Sequence, residues 1–118
     1  MMNISEIENF LKTLENQNDN FGGFIGKKVI IRTYSAGVWY GELKKKSGRE
    51  VILINARRMY FWSAAKSISL SGVAKYGIKG TSKICPRIES IWLEAIEILE
   101  LSKKCINDLE GAPDVEAE

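Results

Sequence analysis

The sequence has no histidine, only two cysteines, and no apolar run near the roughly 18 residues that a membrane-spanning helix needs. Without histidine, the chain has no imidazole for general-base catalysis or for metal binding. Cys85 and Cys105 are too far apart for a CxxC metal or redox pair, and the amino terminus is not typical of a signal peptide. We therefore expect one small soluble domain, residues 1–118, inside a cell and with both thiols reduced.

Common catalytic and cofactor motifs are also missing. The chain contains no P-loop, no G-x-G-x-x-G cradle and no G-x-S-x-G elbow. No spacing supports a lysine-activated serine at Ser35, Ser63 or Ser82. The three glutamates between residues 94 and 100 are more typical of a solvated face than of a metal site. The sequence therefore favours a protein that is not an enzyme and has no cofactor or metal.

Charge is distributed unevenly along the chain. Residues 27–87 contain fourteen lysines and arginines but only two acids, whereas residues 1–26 carry a net charge of −3 and residues 88–118 a net charge of −7. A segment of net charge +12 repels itself unless the fold or a ligand neutralises it, so its surface favours an anionic partner. The alternative is a solvated lysine face that the acidic end segments balance.

The apolar pattern predicts an α+β fold, an antiparallel β-sheet meander decorated with short helices. A capping box and helical spacing predict an N-terminal amphipathic helix over residues 4–15. The sheet and one helix should occupy residues 27–101. Turn residues, among them Asn55-Ala56, separate four expected strands, at residues 27–34, 38–43, 50–54 and 57–62.

The remaining elements are shorter. Residues 63–76 are rich in Ala and Ser and predict a helix that Gly77 ends. Residues 91–101 fit a strand or a helix, and we favour the strand. A short helix capped by Ser102 should extend to residue 110, and residues 111–118 should form a frayed acidic tail.

Two segments combine arginines with aromatic rings. Residues 55–62 read N-A-R-R-M-Y-F-W, and residues 32–40 read R-T-Y-S-A-G-V-W-Y. Guanidinium groups form planar forks that match two phosphate oxygens, and aromatic faces stack on bases for about 1–3 kcal/mol per base. Because side chains alternate along a strand, at most one of Arg57 and Arg58 should face a ligand. The alternative is that the three rings of residues 60–62 fill the core with the arginines at its rim.

These segments resemble a phage family, the anti-Thoeris signal-sequestering proteins of the first type. The resemblance covers roughly residues 27–100. It rests on R-T-Y-S-A-G-V at residues 32–38, G-R-E-V at 48–51, N-A-R-R at 55–58, A-A-K-S at 64–67 and E-A-I-E-I at 94–98. Trp39 departs from the pattern, since a histidine or another polar residue is expected after the valine.

The resemblance implies a non-enzymatic sponge in the host cytoplasm. Such proteins bind cyclic ADP-ribose isomers, which defence TIR-domain enzymes make, and hold them without cleavage, so that the Thoeris effector stays inactive. The resemblance also implies homodimers with pockets at the subunit junction and larger assemblies such as hexamers. Separate sites for the cyclic di- and trinucleotides of CBASS-type defence are a further expectation.

For such a ligand, residue type and the shared motifs suggest which side chains bind the phosphates. We expect Arg57 or Arg58 to pair with the pyrophosphate, assisted by Arg32 or Lys83.

The base and the riboses need other contacts. Tyr34 or Trp62 should stack on adenine, and Asn55 and Ser35 should contact ribose hydroxyls or a base edge. An alternative function, drawn from the same charges and rings, is a small-barrel module that binds single-stranded nucleic acid.

Overall fold

A computed structural model describes residues 3–6 and 22–116 of the chain. Its four antiparallel strands are β1 (Lys28–Thr33), β2 (Val38–Ser47), β3 (Glu50–Phe61) and β4 (Lys83–Glu100). Each pairs with the next, and β1 also pairs with β4, so that the sheet closes into a barrel. Two helices, α1 (Leu70–Tyr76) and α2 (Lys103–Gly111), and a 3-10 turn at Gly22–Phe24 complete the described elements. The predicted α+β class with an antiparallel meander is confirmed.

Strand β1 is buried on both faces, which explains its continuous apolar run. Val29 and Ile31 point into the barrel, where they pack with residues from the other three strands: Trp39, Leu43, Val51, Leu53, Ala56, Leu93 and Ala95. Ile30 points the other way, into a second core between the barrel and the helices that includes Tyr40, Met59, Ile84, Val73, Cys105 and Leu109. Full burial of one such aliphatic side chain is worth about 1.5–3 kcal/mol, so the two cores together hold the barrel and helices as one body.

Strand β3 is one continuous strand of 12 residues, so the predicted turn at Asn55-Ala56 is wrong. Asn55 does leave the extended conformation, with φ of 49°. The ladder to β4 nevertheless continues on both sides of it, from the Ile54–Ser90 pair to the Ala56–Ile88 pair. Pairing with β4 therefore carries the strand through a residue whose local preference favours a turn.

The predicted helix over residues 63–76 is only half formed. Helix α1 begins after Ser69, whose side chain accepts a hydrogen bond from Gly72 N, and it ends at Gly77 as predicted. Residues 63–65 instead run antiparallel to residues 77–79: Ala64 bridges Ile78, and Ala65 N donates to Gly77 O at 2.9 Å. Serine hydroxyls compete for backbone donors, so a serine-rich segment caps a helix better than it continues one.

In the C-terminal part, the predicted strand and the predicted helix are confirmed, and the predicted frayed tail is partly wrong. Residues 91–100 belong to β4, and α2 is capped by Ser102, whose side chain accepts from Cys105 N. The expected frayed tail is wrong for residues 112–115. Asp114 bridges Ile84, and Val115 N donates to Ile84 O at 2.9 Å. This short pairing covers the edge of β4 at its first residues.

Some expectations fall partly outside the described residues. Of the predicted N-terminal helix, residues 4–6 are helical, and residues 7–15 lie outside the part that the structure describes. The last two residues of the expected tail, 117 and 118, lie outside it too. Both cysteines are free, with Cys105 buried. Within the described residues, no helix is long and apolar enough to cross a membrane.

Candidate functional site

An open groove lies where the turn between β1 and β2 meets the outer face of β4, and we call it the turn groove. Its volume is about 510 Å³, within the roughly 300–1,000 Å³ typical of small-molecule sites. Thr33 pairs with Ala95, and this β1–β4 contact brings the turn against the strand. The turn groove is lined by Thr33, Tyr34, Ser35, Ala36, Arg49, Trp92, Leu93, Glu94 and Ile96.

Hydrogen bonds of the Thr33 side chain hold the β1–β2 turn in one conformation. Thr33 Oγ1 donates to Gly37 O at 2.7 Å and accepts from Ala36 N at 2.8 Å. Gly37 has φ of 88°, in the left-handed region that glycine adopts without strain. Thr33 and Gly37 therefore shape the turn, and Tyr34 and Ser35 between them point outward.

Two large rings of the turn groove face water. Tyr34 is 92% exposed and Trp92 is 55% exposed. Rings of this size are usually mostly buried in a folded domain, so two that share one groove indicate a contact surface. Their flat faces suit the stacking of a base.

Arg58 lies directly behind the turn. Its guanidinium carbon is 4.3 Å from the centre of the Trp39 ring, and its Nη1 donates to Ala36 O at 2.8 Å. Among the described residues, its Nε and Nη2 have no hydrogen-bond partner. Arg49, in the lining itself, makes no side-chain hydrogen bond or ion pair with the described chain. Both guanidinium groups therefore retain donors for an anion.

Arg57 has the opposite environment, since it is 1% exposed. Its Nε donates to Cys85 O at 2.9 Å, its Nη1 to Leu109 O at 2.6 Å and its Nη2 to Asp114 Oδ1 at 2.8 Å. Burial lowers the pKa of Arg57, and the nearby Asp114 carboxylate opposes that shift. Arg57 thus ties β3 to β4, α2 and the C-terminal segment. Of the two adjacent arginines, Arg58 is the one placed to meet a ligand.

Arg32 and Asn55 do not line the turn groove. Arg32 Nε lies 3.2 Å from Glu97 Oε1, in an exposed ion pair beside the groove. Asn55 is exposed on β3, and its backbone carbonyl accepts a long hydrogen bond of 3.5 Å from Arg87 Nη1.

Trp62 and Lys83 do not line the turn groove. Lys83 pairs with Phe61, nine residues along β3 from the pair of Ile52 with Trp92. Phe61 is nevertheless only three residues, about 10 Å along the strand, beyond Arg58, which donates to Ala36 O of the turn. Three of the eight predicted contact residues therefore lie in or directly behind the β1–β2 turn: Tyr34, Ser35 and Arg58.

Sequence reasoning missed three residues of the turn groove, Arg49, Trp92 and Glu94. The signal for two of them was present, because a strand at residues 91–101 places residues 92, 94 and 96 on one face. Arg49 gave no such signal. Its position next to β4 follows from the turn between β2 and β3, where Arg49 O accepts from Ala95 N at 2.7 Å.

A second polar cluster, on the other side of the barrel, is fully paired. Glu110 of α2 accepts hydrogen bonds from Lys28 at 2.7 Å, from Tyr40 at 2.5 Å and from Arg87. Burial alone would raise the pKa of Glu110, but these hydrogen bonds and charges outweigh it and lower the pKa to about 2. The pKa of Tyr40 is raised mainly by burial and also by its hydrogen bond to Glu110. This cluster holds α2 to the barrel.

Fold and site together define a small closed β-barrel with two covering helices and an open surface groove. The chain belongs to the family described as Domain of unknown function (DUF6948), whose model matches residues 26–109. That range contains all four strands, α1 and most of α2. Among proteins of curated function, none matches this chain.

Proposed function

We propose that this protein binds cyclic ADP-ribose-type signalling nucleotides in the turn groove, holds them without cleaving them, and so prevents activation of a Thoeris effector in the cytoplasm of a phage-infected host. The observation that carries the proposal is the grouping of two exposed rings, Tyr34 and Trp92, with Arg49 around a groove of about 510 Å³. Arg58 adds further donors next to it, through its hydrogen bond to the lining residue Ala36. Rings and guanidinium groups are the side chains that a base and a pyrophosphate require.

The charges suggest how such a ligand is oriented. Glu94 lies in the groove and repels phosphate, whereas Arg49 and Arg58 attract it. The pyrophosphate should therefore lie toward the two arginines. Glu94 is then left for groups that donate hydrogen bonds, such as ribose hydroxyls or a base amine.

Retention without cleavage fits the chemistry of the lining. Hydrolysis of a glycosidic or phosphate bond is usually assisted by a positioned acid and base. Among the described residues that line the groove, Glu94 is the one carboxylate, and the whole chain has no histidine. A single carboxylate can bind a hydroxyl, but the described lining holds no second carboxylate to form the pair that most glycosidases use.

The proposal includes a homodimer that closes the groove, and higher assemblies such as hexamers built from it. One exposed face of β4 carries Ile88, Trp92 and Ile96, of which two also line the groove. A partner chain placed on this face would cover the ligand and slow its dissociation. The proposal also extends to cyclic di- and trinucleotides as further ligands.

A retention assay tests the central proposal. The purified protein is incubated with a cyclic ADP-ribose isomer, separated from free ligand, heat-denatured and analysed by chromatography. We expect the intact isomer in the released fraction. Recovery of ADP-ribose would show an enzyme, and the absence of any retained nucleotide across a panel of cyclic mono-, di- and trinucleotides would refute the proposal.

Variants locate the site. Tyr34→Ala, Trp92→Ala and Arg58→Ala should each weaken binding at least about fivefold, because a stacking or charge-assisted contact is worth about 1–3 kcal/mol. Tyr60→Ala is the matched control, since Tyr60 is also an exposed ring on the barrel but does not line the groove. If the control weakens binding as much as Tyr34→Ala does, the ligand lies elsewhere.

A further inference from the structure

Beyond the proposed function, a second exposed surface lies where β3 ends and β4 begins. Residues 61–65 and 77–83 run side by side there: Phe61 pairs with Lys83, Lys79 N donates to Ser63 O at 2.8 Å, and Ala65 N donates to Gly77 O. Ala65 lies four residues after Phe61, so the segment between them spans about 13 Å. We call this surface the distal strip and define it by Tyr60, Phe61, Tyr76, Lys66, Lys79 and Lys83.

A bulge gathers the rings of the distal strip. Between Met59 and Phe61 the register advances two residues on β3 but one residue on β4, so Tyr60 is the extra residue. Two residues of a bulged strand oppose one residue of the partner strand, so Tyr60 and Phe61 both lie near Lys83. Tyr60 is 60% exposed and Phe61 is 49% exposed. Two adjacent rings are therefore presented to solvent at one strand end.

The cations of the distal strip are not neutralised by the fold. Within the described part of the chain, Lys66, Lys79 and Lys83 make no ion pair. Lys66 Nζ lies 5.4 Å from the centre of the Tyr76 ring. The carboxylate of Asp108, on the adjacent helix, is already bound by Lys104 and by Ile78 N. The strip thus keeps its positive charge for a partner.

A recess borders the strip. Lys79, Gly80 and Ser82 line a cavity of about 350 Å³ together with Asn107 of α2. The side-chain amide of Asn107 both donates and accepts hydrogen bonds, as the edge of a base or a ribose does. The recess therefore adds a polar contact next to the rings and cations.

We infer that the distal strip binds single-stranded nucleic acid, with bases stacked on Tyr60 and Phe61 and phosphates on Lys66, Lys79 and Lys83. Adjacent exposed rings between separated cations are the arrangement by which proteins bind single strands without reading sequence. An acidic peptide would use the lysines but would gain little from the rings. The inference does not depend on a ligand in the turn groove.

Fluorescence anisotropy with labelled oligo-dT of 4, 8 and 12 nucleotides tests the inference. Affinity should rise with length and fall with salt. Three phosphate contacts predict a slope of about −2 in log affinity against log salt concentration. Tyr60→Ala and Phe61→Ala should each weaken binding at least about fivefold. Lys79→Gln and Lys83→Gln should each reduce the slope by about 0.7.

Controls separate this surface from the turn groove. Tyr34→Ala and Lys44→Gln remove an exposed ring and an exposed lysine elsewhere on the barrel and should leave oligonucleotide binding unchanged. A saturating cyclic ADP-ribose isomer should not compete. The inference is overturned if no oligonucleotide binds at about 50 mM salt. Phosphate contacts bind more tightly at this concentration than at higher salt, so a real site should be detected there. It is also overturned if polyglutamate of equal charge competes equally well, or if Tyr34→Ala and not Tyr60→Ala abolishes binding.

Discussion

Arg57 and Arg58 are neighbours on β3, and the alternation of side chains along the strand sends them to different environments. The buried Arg57 donates to two backbone carbonyls and to the carboxylate of Asp114, whose side chain is exposed. Arg58 stacks on Trp39 and braces the β1–β2 turn through Ala36 O. The first residue serves stability, and the second supports the turn while keeping donors at the surface.

This difference predicts that two alanine variants lose different amounts of stability. Arg57→Ala should lower the free energy of unfolding by about 3 kcal/mol, because it leaves buried carbonyl groups unpaired and opens a cavity. Arg58→Ala should lower it by only about 1 kcal/mol, the usual worth of an exposed cation–π contact, and should act mainly on cyclic-nucleotide binding. Urea denaturation of both variants measures the difference. Equal losses of stability would contradict these roles.

At the scale of elements, the end of α1 is fitted closely to α2. Gly77 ends α1 with φ of 90°, and a Cβ at this position would lie 2.0 Å from Asp108 Oδ2. Asp108 has little freedom to move away, because its carboxylate binds Lys104 and Ile78 N. The two helices are therefore joined at a point where only glycine fits.

We predict that Gly77→Ala lowers the free energy of unfolding by about 2–3 kcal/mol, from the positive φ and the steric clash together. Gly80→Ala is the matched control, since a Cβ at Gly80 meets nothing within 4 Å. Thermal and urea denaturation should show a large loss for the first variant and a change within about 0.5 kcal/mol for the second. Similar stability of the two variants would show that the α1–α2 junction adapts.

The contact of α2 with the barrel predicts a dependence on acid. Glu110 has a pKa of about 2 in the folded protein, below its ordinary value near 4.5. Its contribution to stability is therefore fully present above about pH 4.5 and is lost as the pH falls toward 2. Glu110→Gln should cost about 2 kcal/mol at pH 7, and its unfolding free energy should fall less steeply between pH 4.5 and 2. Parallel pH profiles for the variant and the wild type would exclude this role.

At the scale of the whole molecule, the acidic C-terminal part partly neutralises the basic middle part. Five ion pairs join residues 27–87 to residues 97–114, among them Lys27 with Glu100 at 2.8 Å and Arg57 with Asp114. Within the described residues, internal charge balance thus holds for five of the fourteen lysines and arginines of residues 27–87. Among the residues that the structure describes, the cations without such pairs include Arg49 in the turn groove and the lysines of the distal strip. These two surfaces are where an anionic partner gains most.

The C-terminal segment should matter for the stability of the whole barrel. A chain that ends at Pro113 loses the Asp114–Arg57 pair and the pairing of residues 114–115 with Ile84. We predict a loss of about 1–2 kcal/mol in the free energy of unfolding, measured by urea denaturation. Glu116→Gln, an exposed change beyond that pairing, is the control and should have no effect. Unchanged stability of the shortened chain would mean that the segment only rests on the barrel.

Features that depend on a few neighbouring residues could be predicted from the sequence. Ser102 caps α2, Gly77 ends α1, and the turn at residues 35–37 separates β1 from β2, because each depends on backbone conformations and hydrogen bonds within about four residues. Residues 91–100 were correctly assigned to a strand, although their pattern also allowed a helix.

How distant residues combine follows from the three-dimensional fold and could not be predicted from local patterns. The pairing of β1 with β4 joins residues more than 60 positions apart, and it closes the barrel and carries Trp92 to Tyr34, whereas Trp62 stays outside the turn groove. The burial of Arg57 depends on α2 and Asp114, which follow it by about 50 residues. A local sequence pattern shows which face of a strand is apolar. It does not show which remote segment covers that face.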